Sequence, residues 1–254
     1  MKQSICESSA HHHRRLLAAS APHAGDFLYA PPIPGLRLSI EPVKFRAALN
    51  YRIGAKVFPH DGVVDCPVCG RHELDAYGHH ALNCGSGQGV GGRIGRHDEI
   101  RDFLFGVMRT AQLHPLKEPR HLLDNGEKPG DVFLESWRLG RPAAFDVSVA
   151  SVFRSSTSTL TAGEQLEAAE SRVAEKFDKY DLRCRARNMD FVPVVIESFG
   201  GLHSDAVDVV KKIALGLSAR GSFYSEAEEC AHLFQRLSVH LQRCNGSMIA
   251  ARMR

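Results

Sequence analysis

No apolar run reaches the roughly 18 residues that a bilayer-spanning helix requires, and the stretch Met1 to Arg15 lacks the apolar core of a secretory signal. Charge of one sign is also missing. The formal net charge is only +3, so charge alone selects no partner. No internal repeat is visible, which excludes a solenoid. The Gly-rich stretch 85–92 has neither a Gly-Lys-Ser/Thr ending nor an apolar strand before it, so it reads as a connector rather than a phosphate loop. An even cysteine framework is absent too. There are seven cysteines, three of them crowded between positions 66 and 84. That pattern suits metal binding in a reducing compartment better than disulfides.

What is present is ordinary globular material, with 43% hydrophobic residues in 254, enough for one large domain or for a small module plus one medium domain. Residues 1–24 are small, polar and aperiodic and read as a disordered or remnant N-terminus. Residues 25–59 read as a linker that docks on a neighbour. It contains a helix from Glu41 through Arg52 whose buried face would be Val43, Phe45, Ala48, Leu49 and Ile53. Residues 60–90 hold the cysteine cluster, and 91–254 the main domain. There, Ile100, Phe103, Leu104, Val107, Met108 and Ala111 recur at helical spacing, in a helix that Pro115 terminates. Val132 to Leu134 and Ala143 to Val149 form an antiparallel pair. A second helix opens at Thr161, capped by a Thr161/Glu164 box, with the stripe Leu166, Ala169, Val173, Phe177 and Tyr180. Phe191 to Ile196 is nearly all apolar, hence a central strand buried on both faces. Two helices close the chain, Asp205 to Leu217 and Ser225 to Cys244, the latter with a Ser225/Glu228 capping box. This order predicts an α/β domain, a small mixed sheet flanked by helices, preceded by a small zinc-binding module.

Cys66-Pro67-Val68-Cys69 presents two thiols in one turn, followed by His79, His80 and Cys84. Zinc takes four such ligands at tetrahedral corners, and around so few residues its binding would itself supply folding energy. Spacing leaves His79 and His80 both open as the fourth ligand. Four protein ligands leave no open coordination position, so this is a structural zinc site. The plainer alternative is a set of unrelated reduced cysteines.

Asp146 stands within the apolar run Phe145-Asp146-Val147-Ser148-Val149, where a charge is costly unless paired or metal-bound. Asp131 opens the preceding strand, and Glu118, beyond the first helix of the domain, is a third carboxylate within reach. Carboxylates gathered on adjacent strands hold a hard divalent cation such as Mg²⁺, which serves phosphodiester hydrolysis. The plainer reading is that Asp131 ends a turn and Asp146 pairs with an arginine. At 100° per residue, Lys176 lies about 60° from Val173 and Lys179 about 120° away. Lys176 therefore borders the buried face, while Lys179 points further into solvent. Asp98 can cap the helix it precedes, placing Arg96 and His97 beside the amides of its N-terminus.

Taken in order, these motifs resemble the C-terminal region of non-LTR retrotransposon polyproteins that carry a restriction-like endonuclease. The knuckle is Cys66, Cys69, His80 (or His79) and Cys84, and the Arg-His motif is Arg96-His97-Asp98. The core of the PD-(D/E)xK type looks like Pro129-Gly130-Asp131, Phe145-Asp146-Val147-Ser148-Val149 and Lys176-x-x-Lys179-Tyr180. The stretches Asp26-Phe27-Leu28 and Phe45 to Leu49 look like the linker after a reverse transcriptase thumb. The likeness spans roughly residues 25–201. Two departures stand out: Pro-Gly-Asp replaces Pro-Asp, and Ser148 occupies the usual lysine position, which shifts the lysine to the following helix.

The resemblance implies a restriction-endonuclease-like core that nicks target DNA, with Asp131, Asp146, Lys176 and Lys179 catalytic. Mg²⁺ would sit on Asp131, Asp146 and Glu118, and structural Zn²⁺ on the knuckle, for which His80 is favoured. Arg96 and His97 would bind nucleic acid. Partners would be DNA and element RNA, with no membrane and no small-molecule substrate, in an intracellular, nuclear protein. Reverse transcriptase motifs are absent, so the chain looks like a detached tail or a domesticated remnant. The alternative function is a catalytically inactive nucleic-acid-binding zinc-knuckle protein, decayed or co-opted.

Overall fold

The computed structural model describes residues 2–59, 64–87, 89–123, 126–153 and 163–253. Among them the chain forms seven α-helices and a four-stranded mixed sheet. Helix α1 (Lys2–Ala19) and α2 (Pro42–Ile53) are followed by the short α3 (His79–Asn83) and by α4 (Arg93–Thr110). Then come β1 (Leu116–Lys117), β2 (Val132–Leu134), β3 (Ala143–Ala150), α5 (Glu167–Arg185), β4 (Asp190–Glu197), α6 (Ser204–Ser218) and α7 (Glu226–Ala250). Strands run in spatial order β1-β2-β3-β4, with the first two pairings antiparallel and β3–β4 parallel. The parallel pair requires a crossover, and α5 supplies it.

The alternation of β3 sorts its side chains between two layers. Ala143, Phe145 and Val147 face α4, α6 and α7, where the largest core is built from Ile100, Leu104, Met108, Val209, Ile213 and their neighbours. Ala144 and Ala150 face α5 through Tyr180, Val173 and Ala169. Asp146 lies on that second face, toward the crossover helix. The stripe expected on α4 is buried throughout, and the Ser225/Glu228 capping box opens α7 as expected.

Four expectations need correction. β4 is buried, but it is an edge strand of the sheet rather than a central one. Pro193 within it has no N–H to donate, which an edge strand tolerates. The buried face of α2 is Ala47, Ala48 and Tyr51, while Val43, Phe45 and Ile53 are exposed. The face rotates because α2 lies almost backbone to backbone on α7: a Cβ at Gly246 would meet the Lys44 carbonyl oxygen at 2.3 Å. Residues 2–19 are helical rather than irregular. Arg15 anchors that helix, its Nε donating to the Tyr51 carbonyl at 3.2 Å, while Arg52 donates to the Ala19 and Ala24 carbonyls at 2.6 Å. Lastly, α5 begins at Glu167; Thr161, expected to cap it, lies outside the described residues.

A second core joins the parts that the sequence separates. Ala18, Tyr51, Leu74, Leu82, Cys66, Phe199, Met248 and Ile249 pack together. The cysteine cluster thus shares its apolar interior with α1, α2 and the end of α7.

Candidate metal sites and acidic cleft

The cysteine turn is shaped by backbone bonds from Gly70 N–H to the Cys66 carbonyl (2.8 Å) and from Cys66 N–H to the His72 carbonyl (2.9 Å). Asp75 then sets the start of α3. Its two carboxylate oxygens accept from His79 N–H at 2.9 Å and His80 N–H at 2.7 Å, satisfying donors that a helix N-terminus leaves open. That turn carries the imidazole of His80 to the thiols. The ligand atoms of Cys66, Cys69, His80 and Cys84 all lie within 4.8 Å of one another, so this group could hold a metal ion. Three sulfurs and one imidazole suit a borderline-soft ion such as zinc.

His79 goes elsewhere. Its ring lies 4.0 Å from that of Phe153 and 6.0 Å from that of Tyr51, and burial pushes its pKa down to about 4. The two histidines left open by spacing are separated by helical rotation, one into the ligand set and one into the apolar core.

A cleft of about 490 Å³ opens between β3, the N-terminal half of α5 and the N-terminus of α4, and Asp131, Asp146 and Lys176 line it together. Lys176 Nζ contacts both carboxylate oxygens of Asp146, at 2.7 and 2.8 Å. Ser148, in the position where the resembled family has lysine, donates its hydroxyl to Asp146 at 3.3 Å. Burial raises the Asp146 pKa, and Lys176 opposes part of that rise. Asp131 sits just ahead of β2 with its Oδ2 accepting from Val147 N–H at 2.7 Å and lying 3.2 Å from His97 Nε2. Its burial would raise its pKa, but His97, Val147 N–H and Lys176 outweigh that and hold it below the ordinary value. His97 is correspondingly raised, chiefly by its bond to Asp131.

The glycine in Pro-Gly-Asp has a local cause. A Cβ at position 130 would meet the Phe145 carbonyl oxygen at 2.7 Å and its nitrogen at 2.9 Å. The chain passes so close to β3 there that no side chain fits.

The remaining candidates fall outside this constellation. Lys179 projects away from the cleft, its Nζ over the Tyr180 ring at 4.7 Å. Glu118 is held by Arg101 and by Lys128 (3.2 Å), and its side chain does not line the cleft. Arg96 is 3% exposed. It donates to Asn245 Oδ1 at 2.9 Å and to the Leu82 carbonyl at 3.3 Å, so it ties α4 to α7 and α3 rather than presenting a guanidinium at the surface. His97 alone of the Arg-His pair reaches the acidic residues. Its contact with Asp131 spans 34 positions, and no sequence signal marks it. Arg93, exposed, and Arg172, half-buried, also line the cleft and went unmarked in the sequence.

Among the described residues, only the three cysteines and His80 form a set of three or more His, Cys, Asp or Glu ligands this close together. Three carboxylates line the cleft: Asp146 paired with Lys176, Asp131 beside His97, and Glu175 paired with Arg172. No helix among the described residues is long and apolar enough to cross a membrane. No family model matches the chain, and no curated protein matches it.

Proposed function

We propose that the chain is a divalent-metal-dependent DNA endonuclease with a restriction-like core of the PD-(D/E)xK type, accompanied by a structural zinc site at Cys66, Cys69, His80 and Cys84. The observation that carries this reading is the meeting of Asp131, Asp146 and Lys176 on one cleft, with the lysine delivered by the crossover helix. A strand carboxylate buried at 8% exposure beside a lysine costs solvation energy that a plain surface ion pair avoids. Such placement is common where charges are held for chemistry.

Asp131 and Asp146 would hold Mg²⁺ with hard oxygen donors, the rest of its coordination being water and substrate phosphate. When bound, the ion would activate water and stabilise the departing oxygen of a phosphodiester. His97 and Val147 N–H keep Asp131 ionised and oriented. Lys176 orients Asp146 and opposes part of the rise that burial imposes on it, and its ammonium is placed to offset negative charge growing on the phosphoryl oxygens. Arg93 and Arg172 on the cleft walls are suited to backbone phosphates. Lys179 and Glu118 have no part in this reading, and Arg96 acts only through packing.

The test is a magnesium-dependent plasmid nicking assay on the wild type and on Asp146→Ala. Nicking by the first and loss of it in the second is expected. A wild type that binds DNA with salt-sensitive affinity but never nicks would establish the alternative, a nucleic-acid-binding protein without catalysis.

A further inference from the structure

Arg252, two residues past the end of α7, is 2% exposed. Its Nη1 donates to the Gly91 carbonyl at 3.2 Å and to the Met248 carbonyl. Its Nε and Nη2 have no hydrogen-bond partner among the described residues. A guanidinium stays protonated at any physiological pH, so it cannot escape burial by neutralising, and a buried cation without an anion is costly. Met248 and Ile249, in the turn just before Arg252, pack in one core with Cys66 and Cys84, and the Cys66 thiol and the His80 ring both feel the charge of Arg252. Asp75, the carboxylate near that cluster, is engaged by the α3 amides. Three thiolates, one neutral imidazole and a divalent ion together leave one negative charge in excess.

We propose that Arg252 is the buried counter-ion of the metal–thiolate cluster, so that an occupied site fastens the end of α7 and, through the Gly91 carbonyl, the turn that leads into α4. This rests on the reading of Cys66, Cys69, His80 and Cys84 as a zinc site. The cluster then works as a clamp within the domain, because one guanidinium joins its sulfur to the segment ahead of the helix that carries His97. A free-standing finger would need no partner from a residue 168 positions beyond its last ligand (Cys84 to Arg252).

The experiment is zinc competition on the zinc-loaded full chain, using the chromophoric chelator 4-(2-pyridylazo)resorcinol, for wild type, Arg252→Gln and Arg252→Lys. Loss of the charge should weaken zinc retention by roughly 10-fold or more, as for other groups that support metal ligands, while Lys should stay within about 3-fold of wild type. Hydrogen exchange over residues 248–253 should slow on zinc loading in the wild type and the Lys variant but not in the Gln variant. A Gln variant that folds only at saturating zinc, beside a Lys variant that behaves as wild type, would support the same conclusion. Wild-type zinc retention in Arg252→Gln would overturn the proposal and leave the zinc site standing. Equal weakening in both variants would overturn it in favour of packing by the guanidinium. A wild type that takes up no zinc would overturn both the proposal and the zinc reading.

Discussion

The cysteine cluster and the acidic cleft are neighbours that share Asn83, Gly85 and Arg93 as lining, yet they are built on opposite plans. In the cluster, four ligand atoms converge from a turn and a short helix, and the Asp75 carboxylate is used only to fix that helix. Nothing remains open there, so a metal ion would contribute to folding and little else. In the cleft, Asp146 and Asp131 each already have a cationic neighbour from a different element, Lys176 on α5 and His97 on α4. Those neighbours hold the charges apart from the solvent while leaving room beside them. The difference is one of completeness: a closed ligand set stabilises, and a set of balanced charges lining a cavity is free to act on something that enters.

The strongest way to break that contrast is to remove a cluster ligand. Cys66 is fully buried in the core that joins α1, α2 and α7. Cys66→Ser should therefore destabilise the whole chain by several kcal/mol, lowering Tm by about 10 °C. Thermal unfolding followed by circular dichroism, with zinc content measured alongside, checks this. An unchanged Tm would mean that the cluster does not serve the fold.

A sharper test lies in the cleft. Lys176→Met should lower nicking by about 10²-fold while costing less stability than Asp146→Ala, which strands the lysine. Lys179→Ala, on the outer face of the same helix, should stay within about 2-fold of wild type because a surface charge outside the site contributes little. Equal effects of the two lysine variants in single-turnover nicking would erase the distinction between them.

The smallest expected effect concerns pH. Glu197, at the end of β4, accepts from the Ala169 N–H at 3.3 Å, and its Oε2 is buried without a partner among the described residues. Burial pushes its pKa up to about 7 from an ordinary 4.5, with the amides of Ala169 and Ala168 opposing part of the rise. The folded state thus keeps a proton that the unfolded chain releases sooner. Stability should fall as pH rises through the window from about 4.5 to about 7, by on the order of 2 kcal/mol, and this contribution should be constant outside it. Urea unfolding across that range checks the slope, which Glu197→Gln should remove. A slope unchanged in the variant would place its origin elsewhere.

How much of this was legible depended on how local each signal is. The α4 stripe, the α7 capping box and the strand pair around Asp131 and Asp146 follow from spacing along one element, and the structure has them. The α2 face was misjudged because Gly246 lets that helix approach α7 through its small residues, a fact about the partner rather than about α2. Arg96 read as a surface contact because its motif reads as the opening of a helix, with Asp98 as cap, whereas α4 begins at Arg93 after an N-cap at Gly92 and holds all three residues within it. The Asn245 and Leu82 groups that absorb it lie 149 and 14 positions away. The contact of His97 with Asp131 is likewise invisible to any window.

The sequence by itself determined the α4 stripe, the β2–β3 pair and the helices that close the chain, the cysteine spacing, the buried carboxylate at Asp146 and the rank of Lys176 above Lys179, since periodicity and the cost of burying charge act within a few turns. Only the tertiary structure decided between His79 and His80, turned the Arg96 guanidinium onto Asn245 and Leu82, drew Glu118 to Arg101 and Lys128, and gave Asp131 its histidine. Each of those choices depends on which side chain a distant element brings within about 3 Å, the range of a hydrogen bond, and no local pattern encodes that.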